Sequence, residues 1–247
     1  MSPDPPSVEL RRRMLRRLSR KAAIPPVRPP LETPDLHRRI YARYRDFTMI
    51  PEATYIRNLR IAELVRGVEG CIVECGVWRG GMIAGMAELL GPDRRYFLFD
   101  SFRGLPPAQA IDGPQALDWQ ADTHGPSYYD NCAASPASAQ TAMRMAGALD
   151  SATIVEGWFE DTLPGFEPPA PIALLRLDGD WYESTLLSLN CLYRHMAAGG
   201  LIVVDDYYTW EGCARAVHEF LARESATRRI HQFERDVCVL APDPCGF

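Results

Sequence analysis

Residues 70 to 81 read GCIVECGVWRGG, and the helical pattern MIAGMAELL follows at once. A short apolar run that breaks into glycines and then takes on a helical period predicts a buried strand, a tight turn and a helix. Outward from there the pattern repeats. RRYFLFDSFRGLP (94 to 106) predicts a second strand ending at Asp100, and PASAQTAMRMAGAL predicts a helix leading to a strand around 152 to 155. IALLRLDGD, STLLSLNCLYRHMAAGG and LIVVDD predict strand, helix and strand, after which GCARAVHEFLARE and VCVLAP add a helix and a final extended segment. Two more helical patterns lie between 35 and 68, parted at FTMIPEA, where Pro51 suits a first helical position and Glu52 the positive helix start. This alternation predicts an α/β fold, a Rossmann-like, mainly parallel, doubly wound sheet with helices on both faces and an N-terminal helical extension. Ligands in such sheets sit at the carboxyl ends of the strands.

The chain has 247 residues, enough for one large domain with a two-sided core. A net charge of -5 gives no global attraction to nucleic acid. Seven cysteines without a C-x-x-C pair read as reduced thiols rather than a disulfide framework. No apolar run approaches the roughly 20 residues of a membrane helix, and no signal-peptide core precedes the first helix, so the expected location is cytoplasmic, without a membrane partner. Prolines bracket VELRRRMLRRLSRKAA near the N-terminus, where Leu10, Met14, Leu15 and Leu18 would share one helix face and arginines the other. Docking on its own domain or on a second subunit is the favoured role, which points to a homo-oligomer; an anionic membrane surface and a mitochondrial presequence are alternatives, the latter opposed by Asp4 and Glu9.

The strand ends carry the chemistry. Glu74, Gly76 and Gly80 form E-x-G-x-x-x-G, and Asp100 ends the next strand, where an acid can accept both hydroxyls of a ribose. Dinucleotide enzymes use G-x-G-x-x-G instead, and a carboxylate at Glu74 would repel a diphosphate. A cationic, phosphate-free cofactor such as S-adenosylmethionine fits better; a plain tight turn with Glu74 solvated is the alternative. Asp178, Asp205 and Asp206 close two strands expected to be neighbours, and three hard oxygen ligands suit Mg²⁺. Helix capping by each is the competing explanation. A polar stretch from 107 to 135 lacks a clear period, as functional or disordered loops do.

Five segments in order, ECGVWRGG, FDSFRGLP, VEGWFEDTLP, LRLDGDWYEST and GGLIVVDDYYTWEG, resemble the macrocin O-methyltransferase (TylF-type) family across roughly 45 to 240. The resemblance implies an S-adenosylmethionine- and Mg²⁺-dependent enzyme that methylates a deoxysugar hydroxyl on a glycosylated natural product in antibiotic biosynthesis. It implies an extension and lid over 1 to 45 and a methyltransferase domain over 46 to 247. It makes Asp178, Asp205 and Asp206 metal ligands, and Glu74, Cys75, Gly76, Asp100 and Ser101 cofactor contacts beside Gly80 of the glycine turn. Gly157, Trp158 and Phe159 resemble the adenine-side segment, and Thr48 and Met49 the element closing over the methionine moiety. For the proton, Asp178 at the metal edge, Asp180 and His124 are the candidate bases, with Asp180 also readable as a helix-start residue. Three rivals stand beside this: a catechol-type O-methyltransferase acting on an aromatic vicinal diol, a nucleotide-sugar glycosyltransferase using Asp178-Gly179-Asp180 as its D-x-D, and a non-catalytic Rossmann-like module.

Overall fold

A computed structural model describes residues 34–223, 228–234 and 236–242. The amphipathic segment around Leu10 to Leu18 lies outside these residues.

The glycine-turn unit forms as its pattern predicts: strand β1 (Cys71–Cys75) runs through Gly76 and Gly80 into a helix over Gly81–Leu90. Two helices come first, α1 (Pro34–Tyr44) and α2 (Glu52–Leu64), so the Gly81–Leu90 helix is α3. Pro51 is the residue before α2 rather than its first turn, and Glu52 opens the helix. Ile40 and Tyr44 of α1 are fully buried in the same cluster as Ile83 of α3. The core therefore runs across the boundary expected at residue 45.

Next come β2 (Tyr96–Asp100), α4 (Pro114–Ala121), α5 (Pro136–Met145), β3 (Ala152–Glu156), the single turn α6 (Phe159–Thr162), β4 (Ile172–Leu177), α7 (Tyr182–Leu192), β5 (Met196–Val204), α8 (Glu211–Arg223), β6 (Arg228–Phe233) and β7 (Val237–Pro242). The sheet order is β3-β2-β1-β4-β5-β7-β6. The first five strands are mutually parallel, and β7 pairs antiparallel with both β5 and β6.

Strand side chains divide the core by their period of two. Ile72, Leu98, Leu174 and Val203 pack on one face with α1, α2, α3 and α5, while Val73, Phe99, Leu175 and Val204 pack on the other with α7 and α8. Glu74 and Arg176 are register partners between β1 and β4, and both fall on the first face.

The 107–135 stretch is more structured than its sequence predicts. Pro114 starts α4 directly after Gly113, whose φ of 90° turns the chain, and Ala116 is its one buried residue. A single anchoring side chain leaves no period to read. The six described cysteines are free thiols. Among the described residues, no helix is long and apolar enough to cross a membrane.

Candidate active site

The carboxyl ends of β1, β2, β4 and β5 open into one cavity of about 400 Å³. The bend that makes room for it rests on Gly76. With φ of 85°, this residue lies so close to β4 that an added Cβ would stand 1.8 Å from the carbonyl oxygen of Asp178. The amide of Asp178 donates to the carbonyl of Cys75 at 2.8 Å, which locks the two strand ends together.

Asp100 lines this cavity, yet it is also the clamp of the glycine turn. Its Oδ2 accepts the amides of Val77 and Trp78 at 2.8 and 2.7 Å, and its Oδ1 accepts that of Phe102 at 2.7 Å. Burial pushes its carboxyl up, and the three amides pull it back. A carboxylate offers about four acceptor positions, so one stays available on Oδ1 for a ligand hydroxyl.

Asp178 follows β4, and Asp205 with Asp206 opens a short 3₁₀ turn, Asp205–Tyr208, after β5. One ligand atom from each lies within 4.8 Å of the others. Hard oxygen donors gathered this closely are the kind a divalent cation such as Mg²⁺ takes. Each acid is held by one oxygen. Arg176 takes Asp178 Oδ2 with Nη1 at 2.7 Å and approaches Asp205 Oδ1 with Nη2 at 2.6 Å, the latter an ion contact without hydrogen-bond alignment. The Asp180 amide donates to Asp206 Oδ2 at 3.0 Å. Asp178 and Asp205 also lie within hydrogen-bonding contact of each other, two carboxylates sharing one space. The donor set therefore fits a hard divalent cation.

Burial and the neighbouring carboxylates push Asp205 up to about 6 and Asp206 well above the carboxylate range. Burial and Asp178 likewise push Asp180 up to about 7. Carboxylates crowded in this way call for positive charge.

Asp180 does not cap α7. Its backbone is left-handed (φ 57°), and its Oδ1 accepts Trp210 Nε1 at 2.8 Å, while Asp112 Oδ1 from the 107–135 stretch takes the Tyr182 amide at the helix start. Trp210 stands edge-to-face with Trp181, and both meet Trp119 of α4.

Several expected site residues fall elsewhere. His124 is exposed, its Nδ1 3.3 Å from Thr123 Oγ1, and lines no part of the cavity; the turn after α4 points it to solvent. Glu74 is not solvated and does not reach the cavity wall: it is buried against Arg176, with Nη1 at 2.6 Å from Oε1. Burial raises it to about 7 despite the guanidinium. Cys75 is buried on the opposite face, and Gly80 packs on Ala139 of α5 as the left-handed residue before α3. Thr48 accepts the Ile50 amide at 3.1 Å and does not line the cavity, whereas Met49 and Ile50 do. Ser101, Trp158 and Phe159 line it too; Gly157 lies just before them with φ of 149°.

Arg176 was missed by sequence reasoning. Its signal is a lone cation inside the apolar run IALLRL, two places before an acid and in register with Glu74. The second omission is the turn Tyr129 to Cys132, four successive residues with φ between 46° and 60°. Cys132 from this turn faces the cavity beside Gly104, Leu105 and Pro106.

The model of the macrocin O-methyltransferase (TylF) family matches residues 44–240. The 8-demethyl-8-(2,3-dimethoxy-alpha-L-rhamnosyl)-tetracenomycin-C 4'-O-methyltransferase of Streptomyces olivaceus is 36% identical over 177 residues, covering 69% of this chain. The chain spans 65% of that relative's length. Mycinamicin III 3''-O-methyltransferase of Micromonospora griseorubida is 34% identical over 177 residues, 68% of this chain and 67% of that one. Among solved structures, the O-methyltransferase NovP superposes with a TM-score of 0.68 at 32% identity, over 79% of this chain and 82% of its own. With four-fifths of its length and all five strand-end motifs inside the matched region, the chain belongs to the macrocin O-methyltransferase (TylF) family.

Proposed function

We propose that the protein is a Mg²⁺- and S-adenosylmethionine-dependent O-methyltransferase acting on a deoxysugar hydroxyl of a glycosylated natural product. The observation that carries this reading is the meeting, in one cavity, of the Gly76 turn and three carboxylates whose ligand atoms lie within 4.8 Å of one another. Two relatives are named for O-methylation of glycosylated compounds, which supports the acceptor class. The D-x-D glycosyltransferase and the non-catalytic module lose their ground with family membership.

Bound S-adenosylmethionine supplies a methyl on a sulfonium, and bound Mg²⁺ supplies charge beside the acceptor oxygen. The remaining work belongs to the chain. Asp100 and Ser101 offer acceptors on the β2 side, Trp158 and Phe159 offer apolar walls suited to adenine, and Met49 and Ile50 border the opposite end. Asp178, Asp205 and Asp206 would hold the cation. Placing acceptor and cofactor in one geometry contributes at best about 7–11 kcal/mol of barrier lowering.

Of the candidate bases, Asp180 suits the proton best. It lines the cavity, its Oδ1 is fixed by Trp210, and no described group bonds its Oδ2. Asp178 is already engaged by Arg176 and the proposed cation, and His124 does not line the acids' cavity. A net charge of -5 agrees with a small-molecule acceptor rather than nucleic acid. A homo-oligomer and a cytoplasmic location complete the proposal from the sequence.

Calorimetry with S-adenosylmethionine, then Mg²⁺, tests the reading, followed by methyl transfer to deoxysugar glycosides and to a catechol. Binding of both ligands with turnover of the glycoside is expected. Absence of cofactor binding would overturn the methyltransferase assignment, and turnover of the catechol alone would replace the acceptor class.

A further inference from the structure

Arg176 is 1% exposed, and its charged partners are all acids. Behind it stand Glu74 at 2.6 Å and Asn58, whose Oδ1 accepts from Nε at 3.3 Å. In front stand Asp178 and Asp205, each taken by one oxygen. A guanidinium stays protonated at any working pH, so this is a permanent cation placed beneath the acid cluster.

Two carboxylates drawn to one guanidinium are held near each other against their repulsion. That is the service a metal performs for its ligands, delivered from below. Asp206 receives its own tether from the Asp180 amide. The third acid is thus placed without Arg176.

Resting on the proposed Mg²⁺ site, we infer that Arg176, backed by Glu74 and Asn58, is a positioning residue that serves as the resident counter-charge of the acid cluster, keeping Asp178 and Asp205 assembled before Mg²⁺ arrives. The chain then needs little from the metal for its own stability. Without the guanidinium, that burden passes to Mg²⁺.

The test uses Arg176→Met combined with Glu74→Gln, which removes the buried Glu74–Arg176 pair together, so that the acid cluster alone is left without its counter-charge. Melting temperature is read in EDTA and in saturating Mg²⁺, for the full chain. Because a ligand that binds only the folded state stabilises it, the double variant should gain about twice the wild-type Mg²⁺-induced rise or more. Folding only when Mg²⁺ is present supports the inference equally. An equal or smaller rise overturns it, as does a double variant that stays unfolded at saturating Mg²⁺, since the metal then fails to replace the guanidinium. Arg176→Lys retains the charge and should keep the wild-type rise; a larger one would refute the charge argument. No Mg²⁺ response in either wild type or double variant removes the metal reading and this inference with it, whereas equal responses remove this inference alone.

Discussion

Gly76 and the carbonyl of Asp178 touch where β1 and β4 end, at a distance that leaves no room for a methyl group. Alanine there meets two obstacles, a φ of 85° and an atom overlap with backbone that cannot rotate away. Gly147 is the comparison: its φ is 68°, but an added Cβ meets nothing within 4 Å. Gly147→Ala should cost about 1–2 kcal/mol, the left-handed penalty alone. Gly76→Ala should cost about 3 kcal/mol or more, strain and overlap together. Urea unfolding of both variants checks the difference, and similar costs would mean the strand ends part easily.

The three acids differ in what they lose when neutralised. Asp205→Asn retains its shape and gives up a ligand charge beside Arg176. Mg²⁺ affinity by calorimetry should fall at least about tenfold, which is about 1.4 kcal/mol. Methyl transfer by the wild type should stop in excess EDTA and return with added Mg²⁺. Full activity in EDTA would leave the carboxylates a structural role only.

Trp210 joins the proposed base to the aromatic cluster. Trp210→Phe keeps a ring against Trp181 and Trp119 but deletes the donor to Asp180 Oδ1. A left-handed Asp180 without that tether should sample other orientations, so single-turnover rate should drop about tenfold, within the range of a lost positioning contact. S-adenosylmethionine affinity should hold. Asp180→Asn should lower the rate by about 100-fold or more, the scale of general-base catalysis. A near-normal rate for Asp180→Asn would return the proton to another group.

How much of this was legible from sequence depends on the range of each interaction. The parallel strands were readable because their cues are local: apolar runs, glycine turns and helical periods next to one another. β6, RRIHQF, escaped notice because an edge strand buries little and shows no apolar alternation. The placing of Asp178 beside Asp205 followed from the fold alone, since acids at the ends of neighbouring strands must meet. Glu74 was misplaced for the opposite reason. Its partner stands 102 positions away, and a buried ion pair leaves no periodic trace. His124 was proposed on chemistry without position, and a loop gives no rule for where its side chains point.

The left-handed turn at Tyr129 to Cys132 lay in the stretch without a readable period, and its Cys132 lines the cavity on the side we propose for the acceptor. Asn131 holds it there: its Nδ2 donates to the Leu105 carbonyl at 2.8 Å, and its own carbonyl accepts the Leu105 amide at 3.0 Å. Gln120 of α4 donates to Asn131 Oδ1 at 3.1 Å, so one side chain joins three segments around the cavity. Asn tolerates φ near 52° better than alanine does, and Asn131→Ala therefore loses the two side-chain bonds and the conformational preference. The turn should loosen while the Asp100 clamp stays intact on the other side. KM for the proposed sugar acceptor should rise about tenfold, equal to about 1.4 kcal/mol, with S-adenosylmethionine affinity within about twofold of wild type. Steady-state kinetics at saturating cofactor, paired with calorimetry, separates the two. A loss shared equally by acceptor and cofactor would mean that the turn supports the whole cavity rather than its acceptor side.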